Sequence, residues 1–304
     1  MDQAEQLRNM IRANNQPENT IRVDNQPRKP LARVITVTSG KGGVGKSNLS
    51  INLAVQLRKL GQRVVILDAD FGLANIEIMF GTIPKHNLSD LIYQGKSMKE
   101  IVTQGPMDIG FVSGGSGITG LSNLTKEELT QIVRNLAELD AIADTVIVDT
   151  GAGISDAVME FLLASEEILL VTTPEPTSIT DSYSLLKVLG KNTRYSPDAT
   201  KIRMVANKVQ QKGDGKILYR KLNAVVLKYL KVRMEYLGEV PEDYQLSRAV
   251  MQQKPVSMES PGAKAALAYE QIAARLMNKE IQEVTVRRGM SAFFSHIFQG
   301  KGSR

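Results

Sequence analysis

Apolar and polar positions along this chain follow two different periods. Short apolar runs fall at 33–38, 63–68, 109–112, 144–149, 167–172, 201–206 and 234–240. Several of them, such as Val64–Leu67 and Ile168–Val171, are apolar without a break, and together the runs read as buried strands. Over 46–60, 125–139, 177–189 and 214–231 the apolar residues instead recur every three or four positions, which is helical spacing. Strand and helix patterns alternating to about residue 250 predict βαβ units. The expected fold is α/β: a single domain of three layers with a mainly parallel, doubly wound sheet. A further helix over 261–278, opened by Pro261 and carrying Ala265, Leu267, Ala268, Ile272 and Leu276, is expected to close it.

Ligands of such sheets bind beyond the carboxyl ends of the strands. The first run ends there in Gly40-Lys41-Gly42-Gly43-Val44-Gly45-Lys46-Ser47, followed by Asn48 and a helical pattern. Strand, glycine loop and helix form the context of a phosphate-binding P-loop. Its glycines admit turns closed to other residues, and the freed N–H groups with the helix N-terminus cradle an anion. Lys46 is expected to reach the β- and γ-phosphates and the Ser47 hydroxyl to bind Mg²⁺. Two carboxylates, Asp68 and Asp70, stand at the end of the second run, suited to metal and water work beside a phosphate. The run at 144–149 also ends in an acid, Asp149, the Walker B form, and Thr150-Gly151-Ala152-Gly153 follows as a flexible switch.

With Lys41 directly after the first glycine, the loop resembles the deviant Walker A, KGGxGKS/T, of the MinD/ParA/nitrogenase-iron-protein ATPases. The resemblance spans roughly residues 31–280 and makes the domain a P-loop NTPase fold. It implies that Lys41 reaches the nucleotide of a second copy, so that ATP with Mg²⁺ builds a homodimer. It implies that Asp70 orients the attacking water, and that Asp68 and Asp149 act on Mg²⁺ largely through water, with Lys41, Lys46 and Asp70 carrying catalysis. Relatives read D-x-P-A-G in the second switch, and Gly151 replaces that proline here, loosening the loop. The Thr172–Thr177 stretch matches the family with a packing or dimer-contact role. Asn207-Lys208-Val209-Gln210 lacks the fourth-position aspartate of a guanine site. By resemblance Asn207 recognises adenine, with Pro241, Glu242 and Asp243 lining the base pocket. ATP is the expected nucleotide.

The two ends differ from the middle. Residues 1–30 are rich in Asn, Gln, Pro and charge, a tail composition, except for helical spacing of Ala4, Leu7, Met10 and Ile11. Asp2–Arg8 resembles the partner-activating segment of the family's flagellar branch, which implies stimulation of the signal-recognition-particle-type GTPase FlhF through Asp2, Gln3, Leu7 and Arg8. At 281–304, Met290, Phe293, Phe294, Ile297 and Phe298 share one helical face flanked by Arg287, Arg288 and Lys301. Such a stripe reads as core or as an amphipathic membrane-targeting helix; its cationic flanks and terminal place favour an anionic membrane surface. The flagellar branch also implies flagellar switch-complex components as partners.

Composition narrows the classes. The chain has 304 residues and 42% hydrophobic content, enough for one large core, with a formal net charge of +6. Moderate basicity is compatible with anionic lipid or nucleic acid. With no cysteine there is no disulfide and no thiolate for iron–sulfur chemistry, and two histidines do not make a zinc site. No run reaches the roughly 18 apolar residues of a spanning helix, and no secretory signal opens the chain, so a cytoplasmic protein reversibly bound to the inner membrane face is expected. Two other functions stay open: a ParA-like DNA-partitioning ATPase, and a nucleotide-latched adaptor with little hydrolysis.

Overall fold

The apolar runs become the strands of a single sheet. The computed structural model describes residues 31–70, 75–114, 135–282 and 289–299; the activating segment at 2–8 lies outside them. In chain order the strands are β1 (Arg33–Thr38), β2 (Val64–Ala69), β3 (Thr103–Gln104), β4 (Gly110–Val112), β5 (Thr145–Thr150), β6 (Glu167–Thr172), β7 (Lys201–Val209) and β8 (Met234–Pro241). They lie in the order β3-β4-β2-β5-β1-β6-β7-β8. Every pairing is parallel except β3 with β4. The mainly parallel sheet read from the sequence is therefore present, with one short antiparallel edge strand that its two residues could not announce.

The helices are α1 (Lys46–Lys59), α2 (Asn75–Phe80), α3 (Leu88–Tyr93), α4 (Met98–Ile101), α5 (Leu139–Ile142), α6 (Asp156–Ala164), α7 (Pro176–Lys191), α8 (Asp214–Leu230), α9 (Tyr244–Met251), α10 (Val256–Glu259), α11 (Lys264–Gln282) and α12 (Gly289–Gln299). Alternate strand residues divide between two layers. Ile35, Val37, Ile66, Ile147, Leu169 and Val205 pack with α1 and α11. Their sequence neighbours face the other way, Val65, Leu67, Val146 and Val148 toward α12 and Phe161, and Ile168, Leu170, Ile202 and Met204 toward α7 and α8. Of the helix expected over 125–139, residues 125–134 lie outside the described ones.

α11 starts at Lys264 rather than at Pro261. Asp243, on the loop before α9, sets that start: one carboxylate oxygen accepts from Ala265 N (2.9 Å) and the other from Gln245 N (2.9 Å). One acid thus caps two helices. At the opposite rim, the amino ends of the strands are tied by a buried ionic chain. Arg33 donates twice to Glu167 (2.7 and 2.8 Å), Arg203 donates to the same carboxylate, and Arg203 Nε reaches Glu235 at 3.2 Å.

Candidate nucleotide site

The P-loop connects β1 to α1, and its shape is enforced from outside. Gly45 has φ +98° and a Cβ there would sit 2.2 Å from Asn207 Nδ2, so no other residue fits. Gly40 is pressed onto α7: a Cβ would lie 2.2 Å from the Asp181 carbonyl carbon. Asn207 Nδ2 donates to Val44 O (2.7 Å), and Lys208 Nζ to Gly43 O (3.0 Å). The end of β7 is thereby stitched to the loop. Asn207 is 4% exposed and its Oδ1 has no hydrogen-bond partner. A buried acceptor left in this state costs on the order of 1–3 kcal/mol, and an exocyclic amino group would satisfy it. Pro241 pairs with Val209 in the sheet, and Glu242 N donates to Val209 O (2.9 Å), which carries the loop after β8 to the same rim. Asp243 is spent on its two caps.

The acids gather as the sequence indicated. Asp68 and Asp149 are register partners on β2 and β5, 2% and 0% exposed. Burial, then the neighbouring Asp149 charge, pushes the Asp68 carboxyl up to about 8, although Asp70 N (3.2 Å) and Ile76 N (3.3 Å) donate to it. Burial pushes Asp149 up to about 6 against the Ser47 and Ser50 hydroxyls and the Lys46 charge. Ser50 Oγ donates to Asp149 Oδ1 at 2.8 Å, while Oδ2 has no partner. Lys46 is buried, and desolvation lowers its pKa despite Asp149 and Asp70 nearby. Two crowded carboxylates, one oxygen unpartnered, beside a serine hydroxyl form a hard-oxygen set that fits Mg²⁺. Among the described residues no three His, Asp or Glu side chains converge on one point.

Asp70 is held by Asn75 Nδ2 at 3.4 Å, and residues 71–74 of this first switch lie outside the described ones. A Cβ on Gly151 would lie 3.4 Å from Asp70 Oδ1, an ordinary van der Waals contact, so the residue that replaces the family's proline borders Asp70 without space demanding a glycine there. The second switch is anchored to the loop it serves: Gly153 N donates to Ser39 O (2.9 Å) and Thr150 Oγ1 to Val37 O (3.0 Å).

Lys41 is bound at the surface by residues outside the loop. Its Nζ bonds Glu175 Oε2 and Thr177 Oγ1, both at 2.8 Å, at the start of α7. The sequence had marked 172–177 without giving Glu175 or Thr177 a partner; an acid two residues from a threonine carried no signal that a lysine far upstream would meet both. Ser50 and Lys208 were likewise not foreseen.

The terminal aromatic face is buried against the domain. Met290, Phe293, Phe294 and Ile297 of α12 are 0–4% exposed and join one core cluster with Ala32, Leu139 and Phe161. Phe161 stacks on Phe293 (6.1 Å between centroids) and meets Phe294 edge-on (6.4 Å). Both ends of the helix are clasped by side chains of the domain. Asp140 of α5 accepts from Met290 N (3.0 Å) and Ala32 N (3.2 Å), and Arg194 donates to His296 O (2.6 Å) while paired with Glu160 (2.9 Å). The side chain of Phe298 is not among those described.

Strand, glycine loop and helix, a buried loop lysine, and paired acids on adjacent strand ends define a P-loop nucleoside triphosphatase. The chain belongs to the ParA family: the family model described as "ParA: NUBPL iron-transfer P-loop NTPase" matches residues 30–277. It has no cysteine to hold iron as a thiolate. It is 38% identical over 244 residues to the antiactivator FleN of Pseudomonas aeruginosa, covering 80% of this chain and 86% of that protein. It is 33% identical over 274 residues to the flagellum site-determining protein YlxH of Helicobacter pylori, covering 89% and 91%. Its fold matches the septum site-determining protein MinD complexed with Mg-ADP from Pyrococcus horikoshii, with TM-score 0.62, 22% identity, and 84% and 100% of the two chains covered.

Proposed function

We propose that this chain is a MinD-type ATPase of the FlhG kind, which dimerises on ATP, binds an anionic membrane through α12 and regulates flagellar number and placement. The observation that carries the reading is Lys41. A second lysine in the loop, bonded at the surface to the start of α7 while Lys46 is buried in the cradle, supports a reading in which it meets a nucleotide held by another copy. Its local partners, Glu175 and Thr177, hold it at the surface in the single chain. Asn207 Oδ1 favours adenine over guanine, since a carboxylate in the fourth position of the motif is replaced by Gln210. The similarity to FleN and YlxH supports the flagellar assignment.

In the proposed cycle the loop N–H groups and Lys46 bind the triphosphate and orient its γ-phosphate. Ser47, Asp149 and Asp68 would hold Mg²⁺, which would supply neutralisation of the charge that develops in phosphoryl transfer. Asp70 positions the attacking water; phosphoryl transfer needs placement and charge stabilisation more than a strong base. Lys41 exchanges Glu175 for the partner's phosphates, completing both sites at once. The paired α12 helices then bind lipid with an avidity that one short helix lacks. The segment 2–8 would activate FlhF, and the switch complex would be the flagellar partner.

Light scattering with a slowly hydrolysed ATP analogue and Mg²⁺ tests the reading. The wild type should shift from monomer to dimer, Lys41→Ala should stay monomeric with nucleotide binding retained, and Glu175→Gln should dimerise at lower analogue concentration. Normal dimerisation of Lys41→Ala overturns it.

A further inference from the structure

We propose that the solvent face of α8 is a docking surface for an acidic amphipathic helix of a protein partner. Between Gly215 and Arg233 the chain carries six cations and no acid, a surplus equal to the +6 of the entire protein. Lys216, Arg220, Lys221 and Lys228 lie on the exposed side of the helix. None of the four is paired with an acid among the described residues. The one acid of the helix, Asp214, is at its first residue and accepts from Gln211 N (3.1 Å).

The same face is apolar to a degree that a solvated helix is not. Ile217 is 52% exposed, Val225 43%, Leu227 48% and Tyr229 64%. The exposed side of α11, by contrast, mixes Lys264, Glu270 and Arg275, as an ordinary solvent face does. Burying the inner side of α8 is already accomplished by Leu218, Leu222 and Val226, so packing within this chain does not require the outer apolar residues.

How the two chemistries are arranged selects the occupant. Residues three and four apart on a helix are neighbours. Ile217 therefore lies beside Arg220 and Lys221, and Val225 between Lys221 and Lys228. Charge and apolar surface interleave throughout. A helix that enters a lipid interface presents an unbroken apolar sector bordered by cations, which this face lacks. A phosphate backbone is tracked by cations and gains nothing from exposed Ile and Val. A partner helix alternating Asp or Glu with Leu or Ile at the same spacing satisfies both sets at once. The seventeen residues of α8 offer about 25 Å of length, enough for several turns of such a helix. The inference is independent of the ATP cycle proposed above.

Fluorescence anisotropy of the full-length chain with a labelled helical peptide tests it, the peptide carrying Glu and Leu at i, i+3 and i+4. A scrambled peptide of the same composition, vesicles containing anionic lipid, and duplex DNA serve as rivals. The ordered peptide should bind, and bind less tightly as salt is raised. Lys221→Glu with Lys228→Glu, and separately Ile217→Ser with Val225→Ser, should each weaken it about tenfold. Both double variants should keep the wild-type melting temperature and nucleotide affinity, since all four side chains face solvent. Absence of binding, equal binding of the scrambled peptide, or loss of vesicle or DNA binding in the variants without loss of peptide binding would each overturn the proposal.

Discussion

Replacing Asp140 by Ala should loosen α12 from the domain without touching the apolar face that α12 would offer to lipid. Asp140 belongs to α5 yet serves as the N-terminal cap of α12, accepting from Met290 N at 3.0 and 3.2 Å and from Ala32 N at 3.2 Å. Loss of a capping carboxylate costs about 0.5–2 kcal/mol. Burial raises the pKa of Asp140 despite these donors, so part of what the bonds contribute is already spent on desolvation. A net loosening of about 0.5–1 kcal/mol enlarges the undocked population roughly 2- to 5-fold. Asp140→Asn keeps the capping oxygen, and asparagine caps about as well as aspartate, so it should remain close to wild type. Sedimentation with anionic vesicles, without nucleotide, reads the difference directly. Asp140→Ala should pellet more than wild type, and trypsin should cut it faster at Arg287 and Arg288. If Asp140→Ala melts earlier but pellets and is cut no more than wild type, then docking of α12 does not compete with lipid and the coupling argued here is wrong.

Two further predictions concern the rest of the molecule. Glu167→Gln leaves Arg33 and Arg203, both under 10% exposed, facing an amide instead of a carboxylate; breaking a buried ionic set in this way costs about 3–5 kcal/mol. Calorimetry should show a lower melting temperature with ATP affinity unchanged, because the ionic chain sits at the rim opposite the P-loop. The metal-free protein should become less stable as pH rises from about 4 to about 8. Asp68 (about 8) and Asp149 (about 6) are raised in the folded state, so the fold holds their protons more tightly than the unfolded chain through that window. Asp68→Asn should flatten the profile; a metal-free melting temperature that climbs across the same range would contradict this assignment.

The sheet could be read from the sequence because strands covered on both faces are apolar over most of their length, with the buried polar residues, such as Arg33, Glu167 and Asp149, near their ends. β3 and the short α2, α3 and α4 escaped because two to six residues do not span a period. The cradle was legible for a related reason. Gly40, Gly45, Lys46 and Asp149 are each demanded by local chemistry at fixed spacing, and the structure adds only the neighbours that make the demand absolute, such as Asn207 against Gly45. What stayed hidden are pairs between distant segments: Lys41 with Glu175, Asp140 with Met290, Arg194 with His296. Neither member of such a pair has a sequence position that implies the other.

α12 shows where periodicity alone stops. Its spacing specifies an apolar face but not what covers that face, and core packing and lipid contact place identical demands on Met290, Phe293, Phe294 and Ile297. The structure supplies the first cover, and polar clasps from the domain fasten both ends of the helix. Asp140 and Arg194 act only on backbone atoms of α12, so they contribute to docking and nothing to lipid affinity. A helix held by apolar contacts alone would have to lose affinity for the domain and for the membrane together. Holding it partly through Asp140 and Arg194 would let a change in the domain weaken one without the other, which is the property the ATP-dependent membrane switch proposed above would require.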